Sequence, residues 1–275
     1  MEKVEIGTAT IYHGDFAEVM PMLDDGSIAC VASDPPYGVT NHHWDTAPPF
    51  EKMWELFELK SRDNANYVLF GCGGFTIDLI NSKRAWHRYN LCWCKNNKTG
   101  WLNSKLMVHR NHEDIMLFGK PGHQKSAVFN VPDGSVHPCS VLPFDHERGN
   151  GQQGQNFHPT QKPLRLMGYL LMLYSNPGED IVLDPFMGGG TTGLAAMKLG
   201  RRFVGIEKER SFFDISRRRL EETWQRKTAR HITYLSLPNP TDANPTAHEA
   251  ESAVPAEPES EQQNCEEINL QENLV

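Results

Sequence analysis

The sequence predicts a doubly wound α/β fold, with a mostly parallel twisted sheet and helices on both faces. Three observations support this prediction. Short apolar segments typical of strands alternate with longer amphipathic segments typical of helices. A glycine-rich segment joins a predicted strand to a predicted helix, and a rigid polar motif follows directly after a buried strand. At 275 residues the chain can hold one large domain or two small ones.

The N-terminal half contains most of the predicted strands. A strand over residues 8–12 precedes a helix that begins at Phe16 and is limited by Pro21. The continuous apolar run of residues 28–32 predicts a strand that is buried on both faces. We predict further elements, in chain order, as strand 67–71, helix 75–84, strand 89–94 and strand 113–118.

The C-terminal half alternates strands and helices more regularly. Residues 120–160 are dense in Gly, Pro, Gln, His and Asn and show no period, which predicts an irregular insertion. After the insertion, a helix is predicted to begin at Pro163. The remaining predicted elements are strand 181–183, helix 193–199, strand 202–206 and a basic helix over about residues 212–226.

The net charge of −8 is concentrated in the C-terminal tail, residues 237–275. This tail holds nine acidic residues and no Lys or Arg, so the rest of the chain has 26 acidic residues against 27 basic ones. The tail is also rich in Pro, Ser, Asn and Gln and poor in aromatic residues, which predicts a disordered, solvated extension. We therefore expect a folded domain over residues 1–236 and a tail over residues 237–275.

Composition also predicts where the protein resides. No run of about 18 apolar residues occurs, and the N-terminus lacks the apolar core of a signal peptide, so we expect a cytoplasmic protein without membrane contact. The six cysteines lack Cys-x-x-Cys spacing. We therefore expect reduced thiols and no metal site.

The first motif, Asp34-Pro35-Pro36-Tyr37, directly follows the buried strand of residues 28–32. Two consecutive prolines restrict the backbone and remove two donors, so Asp34 and Tyr37 would be held rigidly at the end of that strand. Ligands bind at the carboxyl ends of strands in such sheets. The motif therefore predicts a functional site, with an Asp-capped turn as the alternative.

The second motif is the glycine loop of residues 184–193, which satisfies G-x-G-x-x-G spacing with Gly188, Gly190 and Gly193. Glu207 follows at the end of the next predicted strand, where an acidic residue can bind ribose hydroxyls. Asp184 places a carboxylate beside the glycines, which suits a cofactor with a cationic end, such as S-adenosylmethionine, better than the pyrophosphate of NAD. On this loop alone the cofactor stays open, and the glycines could also serve only a tight strand–helix junction.

Together the motifs resemble those of the amino-group DNA methyltransferases of the β arrangement, which methylate adenine N6 or cytosine N4. The resemblance extends from about residue 8 to residue 226 and rests on DPPY (34–37), HPTQKP (158–163) and DPFMGGGTT (184–192), in that order. In this family the catalytic half precedes the cofactor half. The resemblance therefore implies a permuted Rossmann-like methyltransferase fold, S-adenosylmethionine as cofactor, DNA as substrate and no metal.

The resemblance also implies a role for each matching residue. Asp34 and the Pro35 carbonyl would each accept a hydrogen bond from the target amine, and Tyr37 would stack on a base turned out of the duplex. Pro36 completes this catalytic loop. The residues implied in cofactor binding are Asp15, Phe16, Thr160, Gln161, Lys162, Asp184, Phe186, Gly188, Gly190, Thr191, Thr192 and Glu207. Residues 158–163 are equally typical of a helix N-terminus, and the two roles are compatible.

Local clusters of cations and amides are candidates for DNA contacts, because phosphates attract cations and base edges pair with Asn and Arg. The candidates are Lys95, Asn97, Lys98, Arg110 and Arg148. Residues 120–157 form the candidate target-recognition insertion. Any one of these residues could instead belong to a solvated polar loop. We expect double-stranded DNA as the partner, and a homodimer is an open alternative to a monomer.

An Asp rather than a Ser at the first position of the catalytic motif favours adenine N6, with cytosine N4 as the near alternative. Ser33 precedes Asp34, so the register of the motif matters, and we assign the function to Asp34. The sequence thus predicts a site-specific DNA adenine methyltransferase of a restriction–modification system. Two other hypotheses are an NAD-dependent oxidoreductase, which leaves the Asp-Pro-Pro-Tyr motif unexplained, and a non-catalytic DNA-binding module.

Overall fold

The computed structural model describes residues 1–40, 42, 44–99, 105, 106, 108–131, 138–145 and 161–235. Met1–Thr233 form one compact unit, and the second unit, Tyr234–Val275, lies almost wholly outside the described residues. The predicted tail and a large part of the predicted insertion therefore lie outside the described residues as well. What the sequence predicts for them stays a prediction.

A nine-stranded sheet runs through the described part of the chain. Its strands are β1 Glu2–Ile6, β2 Ala9–His13, β3 Ile28–Ser33, β4 Ser61–Gly71, β5 His87–Thr99, β6 Arg110–Phe118, β7 Val141–Pro143, β8 Ile181–Asp184 and β9 Arg202–Glu207. Their spatial order is β1-β2-β9-β8-β3-β4-β6-β5-β7. From β2 to β4 in that order each strand is parallel to the next, whereas β1 pairs antiparallel with β2, and β6 with both β4 and β5. The predicted fold class is confirmed.

Helices cover both faces of the sheet. They are α1 Phe16–Val19, α2 Phe50–Lys60, α3 Gly74–Ser82, α4 Leu164–Tyr174, α5 Thr191–Lys198 and α6 Arg210–Leu235, with short 3-10 helices at Met20–Met22 and Arg84–Trp86. Side chains from α1, α2 and α3 share one core cluster, and side chains from α4, α5 and α6 share the other. Strand β4 contributes Val68 and Phe70 to one cluster and Tyr67 and Leu69 to the other. Because both faces are buried, the central strands are apolar at consecutive positions.

The structure corrects several predicted elements. Strand β1 and helix α2 were not predicted, and β4 begins six residues earlier than its apolar segment. These extra residues of β4 are mostly polar and carry no strand signal of their own, and their strand geometry depends on the neighbouring strands. The predicted insertion is not wholly irregular, because β7 pairs with β5 and buries Leu142. Three residues are too few for a period to show in the sequence.

Candidate active site

A cavity of about 800 Å³ opens at the carboxyl ends of the parallel strands. Open α/β sheets bind ligands at this edge, because the connections to the helices leave a crevice there. Residues at or just after the ends of four parallel strands line it, namely Asp15 after β2, Asp34 after β3, Asp184 at the end of β8 and Glu207 at the end of β9. Gln161 and Lys162 line it as well. Residues of all three sequence motifs therefore meet in one cavity.

All four residues of the Asp-Pro-Pro-Tyr motif line this cavity. The Tyr37 hydroxyl donates a hydrogen bond to Asp34 Oδ1 at 2.5 Å, and the Tyr37 ring packs against Phe75 with 4.8 Å between the ring centroids. Burial, reinforced by the adjacent Asp34 carboxylate, raises the pKa of Tyr37 well above its usual value. The phenol therefore remains a donor at neutral pH and fixes one oxygen of Asp34.

Hydrogen bonds distinguish the roles of Ser33 and Asp34. The Ser33 side chain is fully buried, and its hydroxyl donates to Asp184 Oδ1 at 2.6 Å. The Asp34 side chain lines the cavity and is 24% exposed. Because Ser33 is committed to the glycine loop, Asp34 is the residue of this pair that can reach a ligand. This arrangement supports the predicted register of the motif.

Four alternating charges line one wall of the cavity, and we call them the charge chain: Asp34, Lys162, Glu113 and Lys95. The Lys162 ammonium pairs with Asp34 Oδ2 and lies 3.3 Å from Glu113 Oε2. Lys95 pairs with Glu113 Oε1. The side chains of Lys162, Lys95 and Glu113 are only 6%, 9% and 15% exposed, so salt and water screen these contacts weakly.

The charge chain determines how readily its members titrate. Burial raises the pKa of Asp34, and the charge and hydrogen bond of Lys162 oppose that rise. Burial also disfavours the charges of Lys162 and Glu113, but their oppositely charged neighbours outweigh it. The pKa of Lys162 is therefore above its usual value, and that of Glu113 is below it. Asp34 is thus the carboxylate of the pair whose charge depends most on its neighbours.

Asp184 holds the start of the glycine loop. Its carboxylate accepts hydrogen bonds from the hydroxyls of Ser33 and Thr192, each at 2.6 Å, and from the Phe186 N–H at 3.2 Å. Burial raises the pKa of Asp184 to about 6 against these bonds. The three contacts tie the loop to β3 and to α5, which gives this predicted cofactor residue a structural role in the loop.

Glu207 closes the other side of the loop. Its carboxylate accepts hydrogen bonds from the Gly188 N–H at 2.7 Å and from the Glu209 N–H at 2.8 Å. Burial raises the pKa of Glu207 to about 7, although these two bonds favour the ionised form. Because each carboxylate oxygen has a second lone pair, Glu207 can still accept hydroxyl donors from a ligand in the cavity.

The glycines of the loop are required by close packing. Gly190 has a φ of +78°, and a Cβ there would lie 2.8 Å from the Cβ of Ser216 on α6. At Gly193 a Cβ would lie 2.6 Å from the Phe203 ring of β9. These glycines therefore let α5 approach the sheet and α6, as the third glycine of a dinucleotide fingerprint does. The predicted cofactor contact of Gly190 stays a prediction.

Aromatic and acidic side chains line the cavity next to the loop. Asp15 caps α1 by accepting the Ala17 N–H at 2.8 Å. The Phe16 and Phe186 rings face each other with centroids 5.1 Å apart. Asp15, Phe16 and Phe186 all line the cavity, as do Thr191 and Thr192 at the start of α5. Thr160, predicted to belong to the same site, lies outside the described residues.

The predicted DNA contacts have different outcomes. Arg110 is exposed and lines the cavity. Lys95 is nearly buried in its pair with Glu113, which favours a role in the cavity wall over the predicted phosphate contact. Arg148 and the side chains of Asn97 and Lys98 lie outside the described part of the chain. Glu113, which the sequence analysis missed, lies in the polar first half of β6 beside Asp114, so no local pattern in the sequence marks it as a site residue.

Two other kinds of site, a membrane-spanning helix and a metal-binding cluster, do not occur among the described residues. No helix among them is both long enough and apolar enough to cross a bilayer. No group of three or more His, Cys, Asp or Glu side chains among them is arranged to hold a metal ion. Five of the six cysteines fall in the described part, and all five are free thiols.

Comparison with known protein families shows to which family the chain belongs. The family model described as DNA methylase, which covers N6 and N4 methyltransferases, matches residues 28–218. The chain belongs to this DNA methylase family. The match begins at β3 and ends within α6, so it includes the Asp-Pro-Pro-Tyr motif and the glycine loop. The methylase is therefore an amino-group DNA methyltransferase that uses S-adenosylmethionine, and the hypothesis of an NAD-dependent oxidoreductase is wrong.

Individual relatives agree with this membership. The methylase is 46% identical to the Type II methyltransferase M2.MboI of Moraxella bovis over 255 residues, covering 77% of this chain and 87% of the relative. It is 38% identical to the Type II methyltransferase M.HinfI of Haemophilus influenzae over 129 residues, covering 47% of this chain and only 30% of that protein's length.

Two solved structures share the fold. The crystal structure of the M1.HpyAVI–SAM complex is similar with a TM-score of 0.59 and 27% identity, covering 77% of this chain and 98% of the other. The PvuII cytosine-N4-specific DNA methyltransferase is similar with a TM-score of 0.63, covering 82% of this chain and 96% of the other. At 16% identity the PvuII likeness shows the fold alone.

Proposed function

We propose that this methylase transfers a methyl group to the exocyclic N6 amine of adenine in double-stranded DNA. The observation that carries the proposal is the position of Asp34, a carboxylate held by Tyr37 and Lys162 in the same cavity as the glycine loop. A direct transfer needs the acceptor amine and the cofactor to be held in contact. One cavity that contains both an amine acceptor and a cofactor loop meets that need.

The chemistry follows from the electronic structure of the base. Its exocyclic amine is a poor nucleophile, because the nitrogen lone pair is delocalised into the ring. Asp34 would accept a hydrogen bond from one N–H and the Pro35 carbonyl from the other, which draws the nitrogen towards tetrahedral geometry and makes its lone pair available. Asp34 therefore acts by position and charge, in a direct in-line displacement without a covalent intermediate on the protein.

The Tyr37 ring is the candidate platform for the flipped base. Turning a base out of a duplex costs a few kcal/mol, and stacking on one aromatic ring returns about 1–3 kcal/mol. Tyr37 lines the cavity beside Asp34, and its packing against Phe75 fixes the plane of the ring. A fixed ring loses little entropy when the base stacks on it, which favours a role in substrate positioning.

The residues around the glycine loop fit S-adenosylmethionine. The Phe16 and Phe186 rings supply an apolar surface for the adenine, and Glu207 supplies acceptors for ribose hydroxyls. The Gln161 Oε1 atom is buried, has no hydrogen-bond partner among the described residues, and belongs to a residue that lines the cavity. Such an acceptor suits the ammonium of the methionine end. When bound, the cofactor supplies the electrophilic methyl group.

The choice of adenine over cytosine rests on Asp34. An Asp at the first position of the motif favours adenine, and the Ser that precedes it is committed to Asp184. Cytosine N4 is the alternative, since the PvuII enzyme has the same fold and is named cytosine-N4-specific. The relatives named as Type II methyltransferases support a role in restriction–modification. We place target recognition in residues 120–157 and assign a phosphate contact to Arg110.

Analysis of the methylated product tests this proposal. Duplex DNA of mixed sequence is incubated with the purified protein and S-adenosylmethionine, digested to nucleosides and examined by mass spectrometry. We expect N6-methyladenine. N4-methylcytosine as the product would overturn the adenine assignment, and the absence of any methylated nucleoside would favour the non-catalytic DNA-binding module.

A further inference from the structure

The charge chain extends beyond what cofactor binding explains. The Lys162 ammonium contacts the carboxylates of Asp34 and Glu113 and lies over the rings of Tyr37 and Phe70, 5.8 and 5.1 Å from their centroids. All these partners follow or belong to β3, β4 and β6, on the catalytic side of the cavity. A lysine in the segment expected to contact the cofactor is therefore directed at the catalytic aspartate.

We propose that Lys162 and Glu113 are positioning residues: Lys162 holds the Asp34 carboxylate ionised and in place, and Glu113 holds Lys162. The inference rests on the proposed function, because it assumes that Asp34 accepts a hydrogen bond from the target amine. It assigns a role to Glu113, and it changes the role assigned to Lys162 from cofactor binding to the positioning of Asp34.

The need for such a lysine follows from burial. A carboxylate that loses water without gaining a partner takes up a proton, and a protonated carboxyl is a poorer acceptor for an amine. The ammonium of Lys162 compensates the lost hydration of Asp34 through a direct ion pair. It occupies Oδ2 while the Tyr37 hydroxyl occupies Oδ1, so the plane of the carboxylate is fixed from both sides.

The need for Glu113 follows from the flexibility of lysine. An ammonium on a four-carbon stem can adopt many positions, so one contact alone would hold Asp34 loosely. Glu113 lies 3.3 Å from the Lys162 ammonium, and its other oxygen is paired with Lys95. The charge chain is therefore held at one end by Asp34 in the catalytic loop and at the other end by Glu113 and Lys95, which belong to β6 and β5.

Other titratable and charged groups also face this cluster and enter any titration of Asp34. Tyr37 donates a hydrogen bond to Asp34 from the same loop. The negative charge of Asp34 also contributes to the raised pKa of Asp184, at the end of β8. Burial raises the pKa of Cys72, which directly follows β4, and the charges of Arg110, Glu113, Lys162 and Lys95 also act on this thiol. Replacing Lys162 or Glu113 leaves these groups in place, so each substitution changes one charge beside Asp34.

Two substitutions predict opposite shifts of the pH–rate profile. In Lys162→Met, Asp34 loses its cation, so the acid limb should move to higher pH and the rate at neutral pH should fall about ten- to a hundredfold. In Glu113→Gln, Asp34 loses a neighbouring negative charge, so the acid limb should move to lower pH, while looser positioning lowers the plateau several-fold. Lys162→Arg keeps the charge and should leave the acid limb close to that of the wild type.

The measurement is single-turnover methyl transfer with saturating DNA and S-adenosylmethionine, from about pH 5 to about pH 9. Cofactor affinity is measured by calorimetry in parallel and should change little. Lys60→Met is the matched control, because Lys60 is also a buried lysine paired with an aspartate, Asp25, outside the cavity. It should lower the melting temperature without moving the acid limb.

Three outcomes would overturn the inference. In the first, Lys162→Met weakens cofactor binding and leaves the acid limb of the pH–rate profile unchanged, which would make Lys162 a cofactor ligand. Another is Glu113→Gln with an unchanged profile; this near-isosteric variant tests the inference even if Lys162→Met does not fold. The third is a shift in the same direction for both. Asp34→Asn distinguishes failure of this inference from failure of the proposed function: if the variant keeps full single-turnover activity, the proposed function itself is wrong.

Discussion

At the scale of single residues, each functional carboxylate has its environment set by a few named contacts. Asp34 is half-buried and paired with Lys162 and Tyr37, whereas Glu207 is buried and accepts hydrogen bonds from the backbone N–H groups of Gly188 and Glu209. An ion pair favours the charged form more strongly than neutral donors do. The two carboxylates therefore suit different tasks, one next to an amine and one next to hydroxyls.

Replacing Asp34 by Ala should separate chemistry from cofactor binding. Asp34 lies with the catalytic loop, so its loss should slow single-turnover methyl transfer at least ten- to a hundredfold and leave the affinity for S-adenosylmethionine nearly unchanged. The reason is that losing a hydrogen bond to a charged group costs about 1.5–3 kcal/mol, and about 1.4 kcal/mol corresponds to a tenfold change in rate. Rapid-quench kinetics and calorimetry on the same preparation measure both. A variant with near-normal turnover would contradict the assignment.

Glu207 should make cofactor affinity depend on pH. Its pKa of about 7 lies above the usual 4.5, so the carboxyl is protonated in the free protein below neutral pH. Ribose hydroxyls donate best to the ionised form, so affinity should rise as pH increases through about 7 and then level off. Calorimetric titration at several pH values measures the dependence. Glu207→Gln should bind more weakly with a flatter pH dependence; an equally steep dependence in this variant would place the titrating group elsewhere.

At the scale of elements, the glycine loop depends on how closely two helices approach it. Met187 is buried against the glycine at position 205 of β9, where a Cβ would lie 2.4 Å from the Met187 sulfur. Gly190 begins α5 in a left-handed conformation and faces Ser216 of α6. The loop therefore keeps its form through packing against its own strands and helices, before any ligand contact is considered.

Gly190→Ala and Gly200→Ala should distinguish packing from backbone strain. Both glycines have a positive φ, +78° and +73°, so an alanine at either position costs about 1–2 kcal/mol of unfolding free energy. Only Gly190 also has Ser216 within 2.8 Å of the added Cβ, whereas Gly200 has open space. Gly190→Ala should therefore lower the free energy of unfolding by about 1–3 kcal/mol more than Gly200→Ala does. Denaturant unfolding measures the difference, and equal losses would mean that α6 moves aside freely.

At the scale of the whole molecule, one sheet brings distant parts of the chain to one edge. Strand β3 lies between β4 and β8, so the Asp-Pro-Pro-Tyr motif and the glycine loop come from neighbouring parallel strands, although the last residues of these strands, Ser33 and Asp184, lie 151 positions apart. Parallel neighbours end at the same edge of a sheet. Because of this order of strands, residues of both motifs line the same cavity.

Removing the acidic tail should leave the folded unit intact. The compact unit ends at Thr233, and the residues beyond position 236 have too few large apolar side chains to add to a core. Truncation after Thr233 should therefore keep the melting temperature. DNA affinity should rise slightly at low salt, because nine negative charges are removed from near a polyanion, and the gain should fade as salt is added. A large loss of melting temperature would show that the tail packs on the unit.

The sequence could predict the parts of this protein that depend on neighbours along the chain. Consecutive apolar residues predicted the central strands, and Pro21 predicted the end of α1, which stops at Val19 before a 3-10 turn. The Asp-Pro-Pro-Tyr motif and the glycine loop predicted a site, and most of their predicted site residues line the cavity, whereas Gly190 packs against Ser216 instead. These features depend on local periodicity and backbone restriction, which a single segment carries by itself.

Tertiary structure alone decided the contacts between distant segments. Lys162 and Asp34 are separated by 128 positions, and nothing near either residue in the sequence indicates the other. Glu113 becomes part of the site only because β6 pairs with β4 and β5, and Gly190 is needed because α6 returns over the loop. The pKa of Glu207 is likewise raised only because the folded chain buries its side chain. The sequence by itself thus determined which chemical groups are present, and packing decided which of them act on one another.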